Sequence, residues 1–186
     1  VKFSVETIDR KDYAAVRGII ADSYQNDGPN TDGDEVDMVD RLRGSESYHD
    51  QFEVVAKDHD HRVVGHALMV PAEVRSATGK FPIVSIVEIG VLHGYRNDGI
   101  GQEMVIELET RARLAGYHAV SAIDHSDFFF KNNYVPADNF NILPTVAVDF
   151  NDNLIKPLFD GALYQKGRQD LLSRRILWDS QHQLLI

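Results

Sequence analysis

The sequence predicts an α/β fold in one domain, a mixed sheet with helices laid against it, and three observations carry that prediction. An apolar run over 83–91 leads through Tyr95-Arg96-Asn97-Asp98-Gly99-Ile100-Gly101 into a helical pattern over 101–115, and a short buried run, 119–123, follows. Strand, turn, helix, strand is the crossover that makes two strands parallel. Ahead of it, Phe52-Glu53-Val54-Val55-Ala56 and Val63-Val64-Gly65-His66-Ala67-Leu68-Met69-Val70 flank Asp58-His59-Asp60-His61-Arg62, the pattern of an antiparallel hairpin. The 186 residues, 43% hydrophobic and 26% charged, suit one domain with a full core.

Taken in order, Phe3 and Val5 suggest a first strand, and Asp9 with Asp12 three residues on gives an imperfect capping-box pattern. Tyr13, Val16, Ile19, Ile20 and Tyr24 recur at helical spacing, so an amphipathic helix should end before Gly28-Pro29. Residues 25–35 read as a polar loop, and a shorter helix over 34–43 should turn Val36, Val39 and Leu42 inward. After the hairpin, Gly79 and Pro82 mark a turn over 76–82. In the next helix Met104, Val105, Leu108, Ala112 and Ala115 form the packing stripe, and Gly116 is the expected C-cap. Beyond Pro136 the signals thin: 146–148 and 175–178 read as strands and 154–163 as an interrupted amphipathic stretch.

Composition removes several function classes. The absence of cysteine excludes disulfides, thiolate nucleophiles and cysteine metal ligands. A formal charge of −10 argues against a bulk nucleic-acid or anionic-membrane surface and favours a cationic substrate. No run reaches the length of a spanning helix, and residues 1–10 lack a signal peptide's apolar centre, so the cytoplasm is the expected location. No GxGxxG follows the first strand and no GxxxxGK[ST] occurs, which lowers hydride transfer and nucleotide hydrolysis.

Two glycines between a strand and a helix let the backbone approach a ligand, and the first-turn N–H groups then point at whatever binds. The same pattern also serves turns that bind nothing. Glu88 interrupts Ile86-Val87-Glu88-Ile89-Gly90-Val91, where a carboxylate needs a partner, water or a cleft.

These residues carry a resemblance to the GCN5-related N-acetyltransferase (GNAT) superfamily. Arg96-Asn97-Asp98-Gly99-Ile100-Gly101 fits its signature of Arg or Gln, two residues, Gly, one residue, then Gly or Ala. Tyr95 and Val91 also fall where the family tends to have tyrosine and valine, whereas His93 and Asn97 replace a common proline and glycine. Phe129-Phe130-Lys131-Asn132-Asn133-Tyr134 resembles the family's tyrosine-x-lysine-x-glycine-phenylalanine segment, with Phe129 at the tyrosine position. The resemblance implies a single acyltransferase-like domain over 1–186 with a mixed, mostly antiparallel, splayed sheet flanked by helices, residues 137–186 being its variable C-terminal part.

By that resemblance the cosubstrate is acetyl-CoA. The N–H groups of Asn97, Asp98, Gly99, Ile100 and Gly101 would cradle its pyrophosphate, with Gln102 a marginal contact and Arg96 adding charge and packing the turn. Main-chain groups of Ile89 and Val91 would pair with the pantetheine amides, Gly90 or Ile89 would donate to the thioester oxygen, and Phe129 would line the channel. The reaction implied is direct attack by a primary amine of a small molecule or peptide. About one lysine-like amine in 10³ is neutral at pH 7, a handicap of roughly 4–5 kcal/mol. Glu88 is the candidate base, directly or through water; the other reading points it to solvent or pairs it with a buried basic group. Phenylalanine has no proton to donate, so acid duty at the leaving thiolate passes from Phe129 to water, His125 or Ser126, or is not performed. That departure motivates the alternative of a noncatalytic acyl-CoA-binding regulatory domain. The family frequently dimerises, and residues 137–186 would either cover the cleft or form an interface.

Other residues fit two readings each. Asp58, His59, Asp60 and His61 suggest solvated turn residues rather than a metal site, and no metal is expected. His66 faces either the core or the acceptor cleft, and Tyr24 and Phe52 either line that cleft or pack the core. Asp22, Asp27, Asp32, Asp34, Glu35 and Asp37 form an acidic region that either steers a cationic acceptor or serves solubility. Arg168, Arg174 and Arg175 read as solvated surface, and Trp178 as core or interface.

Overall fold

The computed structural model describes residues 2–24, 34–76, 79–144, 148–164 and 174–178. The chain divides into two compact units, residues 1–69 with 88–111 and residues 70–87 with 112–186.

In the first unit, β1 (Phe3–Thr7) pairs antiparallel with β2 (Glu53–Asp58), and β2 with the start of β3 (Val63–Ser76), with a register shift between Ala56 and Lys57. The hairpin tip closes on Asp58, whose Oδ1 accepts the N–H groups of Asp60 at 2.9 Å and Arg62 at 3.0 Å, while His61 takes a left-handed φ of 60°. Helix α1 (Tyr13–Tyr24) buries Val16, Ile19 and Ile20. Its entry is a single turn over 10–12 with a complete capping box: Asp9 Oδ1 accepts from Lys11 N–H, and Asp12 Oδ2 accepts from Asp9 N–H, both at 3.1 Å. Asp12 also holds Lys57 at 3.0 Å, so one carboxylate fastens the helix entry to β2. Helix α2 (Glu35–Arg43) buries Val39 and Leu42, with Val36 half-buried. The end of β4 (Gly79–Val91) belongs to this unit, as does most of α3 (Ile100–Leu114). Met104, Val105, Leu108 and Ala112 are buried along α3 as the spacing requires, but Ala115 lies beyond the helix and is exposed. Gly65 gives α3 its close seat: a Cβ there would meet Ile100 Cγ2 at 3.0 Å and Met104 Cε at 3.1 Å.

In the second unit, β4 pairs parallel with β5 (Ala119–Ile123), Val84 opposite Val120. β5 pairs antiparallel with β8 (Asn153–Pro157), which pairs antiparallel with β6 (Val135–Pro136). β9 (Arg174–Trp178) lies antiparallel to the end of β3 and parallel to β7 (Ile142–Leu143). Helix α4 spans Ser126–Lys131. The core here is Ala72, Val74, Phe81, Ile83, Ala119, Ala137, Ile142, Ile155 and Leu163. Gly116, at φ 88°, ends α3 as expected, with Tyr117 N–H donating to Ala112 O at 3.0 Å.

Two expectations change. The turn over 76–82 contracts, because β3 runs to Ser76 and β4 already begins at Gly79; Pro82 is tolerated in the strand on an exposed position, its carbonyl accepting from His118 N–H at 2.9 Å. Residues 154–163 are the strand β8 followed by turns, because Pro157 and Gly161, at φ 75°, both oppose a helix. The strand expected at 175–178 is β9; that at 146–148 falls mainly outside the described residues, as do Asp27, Asp32, Arg168 and the side chains of Arg174, Arg175 and Trp178. Among the described residues no helix is long and apolar enough to cross a membrane.

Candidate active site

The glycine turn and Glu88 lie together in the first unit. β4 ends at Val91, a single helical turn spans His93–Tyr95, and α3 begins at Ile100. Between them Asn97 takes φ 69° and Gly99 φ 82°, two left-handed steps in three residues, for which asparagine and glycine are the best suited side chains. Glu103 N–H donates to Gly99 O at 3.0 Å, so Gly99 is the last residue before the helical ladder. Asn97, Asp98, Gly99 and Gln102 are exposed, Gly101 is half-buried, and Ile100 anchors the turn at 1% exposure. A Cβ built at Gly99 would meet nothing within 4 Å, so the space over the turn is open. The geometry therefore fits an anionic group approaching the main chain at the start of α3.

Two side chains brace this turn. Arg96 Nε donates to Val91 O at 3.0 Å, tying the turn to the strand end, and its guanidinium lies 3.9 Å from Asp22 of α1. Tyr95 OH donates to Asp58 Oδ2 at 2.8 Å, which ties it to the hairpin tip and pushes the phenol's pKa up and the carboxyl's down. Asp58, His59 and Asp60 bring ligand atoms within 4.8 Å of one another, but both Asp58 oxygens are already engaged by Tyr95, Asp60 and Arg62.

Glu88 is 2% exposed. Its Oε2 accepts from His66 Nδ1, and its Oε1 is buried with no hydrogen-bond partner among the described residues. Two residues on, Gly90 leaves room for α1: a Cβ there would meet Ser23 Oγ at 2.7 Å and both Glu88 Oε1 and Ile19 Cγ2 at 3.2 Å. Among the described residues Ser23 Oγ, too, is buried without a hydrogen-bond partner. Two unmatched oxygens thus face the same point on the strand, a place for a bridging water or a donor from a ligand.

Behind Glu88 runs an ionic cluster that sequence reasoning missed. His66, fully buried, donates Nε2–H to Glu53 Oε1 at 2.7 Å as well as Nδ1–H to Glu88. Glu53 also accepts from Arg43 Nε at 3.1 Å and Tyr48 OH at 2.7 Å. Arg43 stacks over the Tyr13 ring at 3.9 Å. Burial opposes a charge on His66, but Glu88 and Glu53 outweigh it and hold its pKa at about 9. Burial likewise opposes ionisation of Glu53, and His66 and Arg43 reverse that, lowering it to about 2. Burial and Glu53 push the Tyr48 hydroxyl far above its ordinary range. The signal in the sequence was three ionisable residues beside or within apolar runs: Glu53 ahead of Val54-Val55-Ala56, His66 within β3 and Glu88 within β4.

The remaining expectations fall as follows. Phe129 belongs to the second unit, 1% exposed, with its ring edge-on to Phe128 at 5.1 Å and to Tyr134 at 4.9 Å. His125, exposed, precedes α4 at φ 52°, and Ser126 opens that helix. Phe52 is core and Tyr24 half-buried. Much of the acidic region is paired internally, Asp34 with Arg41 at 3.1 Å, Asp37 with Arg17 at 3.8 Å and Asp22 with Arg96, which weakens its steering of a cationic acceptor.

A mixed sheet in which β4 is joined to its parallel neighbour β5 through a left-handed turn and helix α3 defines an α/β class of protein. Within it the chain belongs to the acetyltransferase (GNAT) family, whose model matches residues 14–131, more than half its length. Solved structures share the fold at low identity. The GNAT family N-acetyltransferase YhbS of Escherichia coli, in complex with CoA, is 17% identical with a TM-score of 0.74 over 95% of this chain and 89% of that one. A GNAT family acetyltransferase of Brucella melitensis, in complex with acetyl-CoA, is 19% identical with a TM-score of 0.62 over 72% and 82%. One from Staphylococcus aureus Mu50 is 14% identical with a TM-score of 0.61 over 85% and 100%. Among curated proteins none matches the sequence.

Proposed function

We propose that this chain is an acetyl-CoA-dependent N-acetyltransferase that acetylates a primary amine of a small molecule or peptide by direct attack. The observation that carries the reading is the open turn at 97–101, two left-handed residues presenting main-chain N–H groups at the start of α3, directly after the strand that bears Glu88. The CoA complexes of the Escherichia coli and Brucella proteins support the choice of donor. When bound, acetyl-CoA supplies the acetyl group as a thioester.

In this reading the N–H groups of Asn97 to Gly101 hold pyrophosphate, with Arg96 adding positive charge and Gln102 reaching the rim. Ile89 and Val91 offer main-chain groups to the pantetheine, the Val91 carbonyl sharing its acceptor capacity with Arg96. The N–H of Gly90 or Ile89 stabilises oxyanion charge at the thioester carbonyl. Glu88 takes the amine's proton at Oε1; because that oxygen is buried beside Ser23, the transfer runs through a water, or requires Ser23 to turn aside. Acid duty at the leaving thiolate passes to water, to His125 or Ser126, or is not performed, since Phe129 has no proton to give.

Thiol release from acetyl-CoA across a panel of amines tests this, with Glu88→Gln as the comparison. Turnover should fall by about 10²–10⁴ in the variant. A variant that keeps the wild-type rate and pH profile removes Glu88 as the base. The burial of Glu88, and of Phe129 where the family's tyrosine is expected, favours a second reading, a noncatalytic acyl-CoA-binding domain. Saturable acetyl-CoA binding with no thiol release from any amine is the outcome that would select it.

A further inference from the structure

The chemistry assigned to Glu88 leaves unexplained why its neighbours carry so much buried charge. His66 sits on β3 with a carboxylate at each ring nitrogen, Glu88 from β4 at Nδ1 and Glu53 from β2 at Nε2. A carboxylate only accepts, so a ring satisfied on both sides donates from both nitrogens and is an imidazolium. Its orientation is fixed from outside. Glu53 is held by Arg43 of α2 and by Tyr48, and Arg43 in turn by Asp40 at 3.0 Å and the Tyr13 ring. Next to His66 along β3, the α3 side chains nearest to Gly65 are Ile100 and Met104, which add no charge. On the far side of Glu88, α1 brings Ser23 and Ile19 to Gly90.

We propose that His66 is a positioning residue for Glu88: clamped by Glu53, it fixes Glu88 through Oε2, so that Oε1 alone meets the acceptor amine or its bridging water. This rests on the functional reading above. The arrangement has two consequences. It sets one rotamer for a carboxylate that would otherwise have two equivalent oxygens to offer. It also sets the positive charge of the imidazolium directly against the carboxylate that faces the amine. The proton accepted at Oε1 leaves to solvent by the way it came, because His66 already carries both ring protons.

The test is His66→Gln, with kcat and KM measured separately. Loss of the clamp should lower kcat by about 10- to 100-fold, because the reacting oxygen is no longer held in place, while the KM for acetyl-CoA should change less than about twofold, because the turn is untouched. A kcat within about twofold of wild type, in a variant that folds, overturns the proposal; a purely structural His66 would lower stability without changing the kcat of the folded protein. Should the variant not fold, ¹⁵N signals of the wild-type histidines decide: His66 doubly protonated through pH 8, its Nδ1 signal shifting in Glu88→Gln, upholds the clamp, and a neutral ring overturns it. Failure of the functional reading looks different, as wild-type protein that binds acetyl-CoA yet acetylates nothing, and the nitrogen signals then judge the clamp alone.

Discussion

The turn at 96–101 and the cluster of Arg43, Glu53, His66 and Glu88 lie in one unit of the molecule and are made of opposite materials. The turn is a run of main chain from six consecutive residues, exposed at Asn97, Asp98 and Gly99. The cluster works with side chains almost wholly removed from water and drawn from α2, β2, β3 and β4. A main-chain site tolerates changes of side chain but depends on φ and ψ; a buried charge set depends on every member being present and on the geometry that pairs them.

Substitutions can break that contrast at its strongest point. Glu53→Leu leaves Arg43 and His66 buried without their shared acceptor and should cost about 3–5 kcal/mol, read as a fall in urea midpoint. A loss under about 1 kcal/mol would mean that water or other groups satisfy both cations. The same cluster should give stability a dome in pH. The depressed Glu53 carboxyl contributes stability that is present above its ordinary value of 4.5 and lost as pH falls towards about 2. The raised His66 contributes stability present below 6.5 and lost as pH rises through about 9. Urea midpoints across that range should therefore be highest between these limbs, and His66→Gln should flatten the alkaline one.

At the turn the effects are smaller and of another kind. Gly99→Ala, at φ 82°, should cost about 1–2 kcal/mol of stability and weaken acetyl-CoA binding measured by calorimetry. Unchanged affinity would argue that the turn does not receive the pyrophosphate. Asn97→Gly should stay within about 0.5 kcal/mol, since asparagine already accepts the left-handed geometry and glycine's gain there is offset in the unfolded chain. Denaturation of the two variants side by side shows whether conformation alone sets their order.

The contrast also explains what could be read in the sequence. Gly99 and Gly101 lie within a few residues of the strand and helix they join, so local order revealed the turn, the crossover and the capped entry to α1. Glu53, His66 and Glu88 become neighbours only once strand register is known. Opposite His66 on β2 is Val55, and Glu53 reaches it diagonally from two residues away. Register shifts of one residue would have turned these side chains to the opposite face. The stretch 154–163 misled for a related reason: Leu154, Leu158 and Ala162 mimic helical spacing, whereas pairing with β5 makes a strand of its first part.

The closed charge cluster also restricts how this chain can drift. Any single replacement among Arg43, Glu53, His66 and Glu88 passes through an intermediate with an orphaned ion, while replacement of the whole set by apolar side chains need not. Descendants of this protein should therefore either keep the four together or exchange them as a block, whereas exposed turn positions that need no left-handed backbone, such as Asp98 and Gln102, can change one at a time.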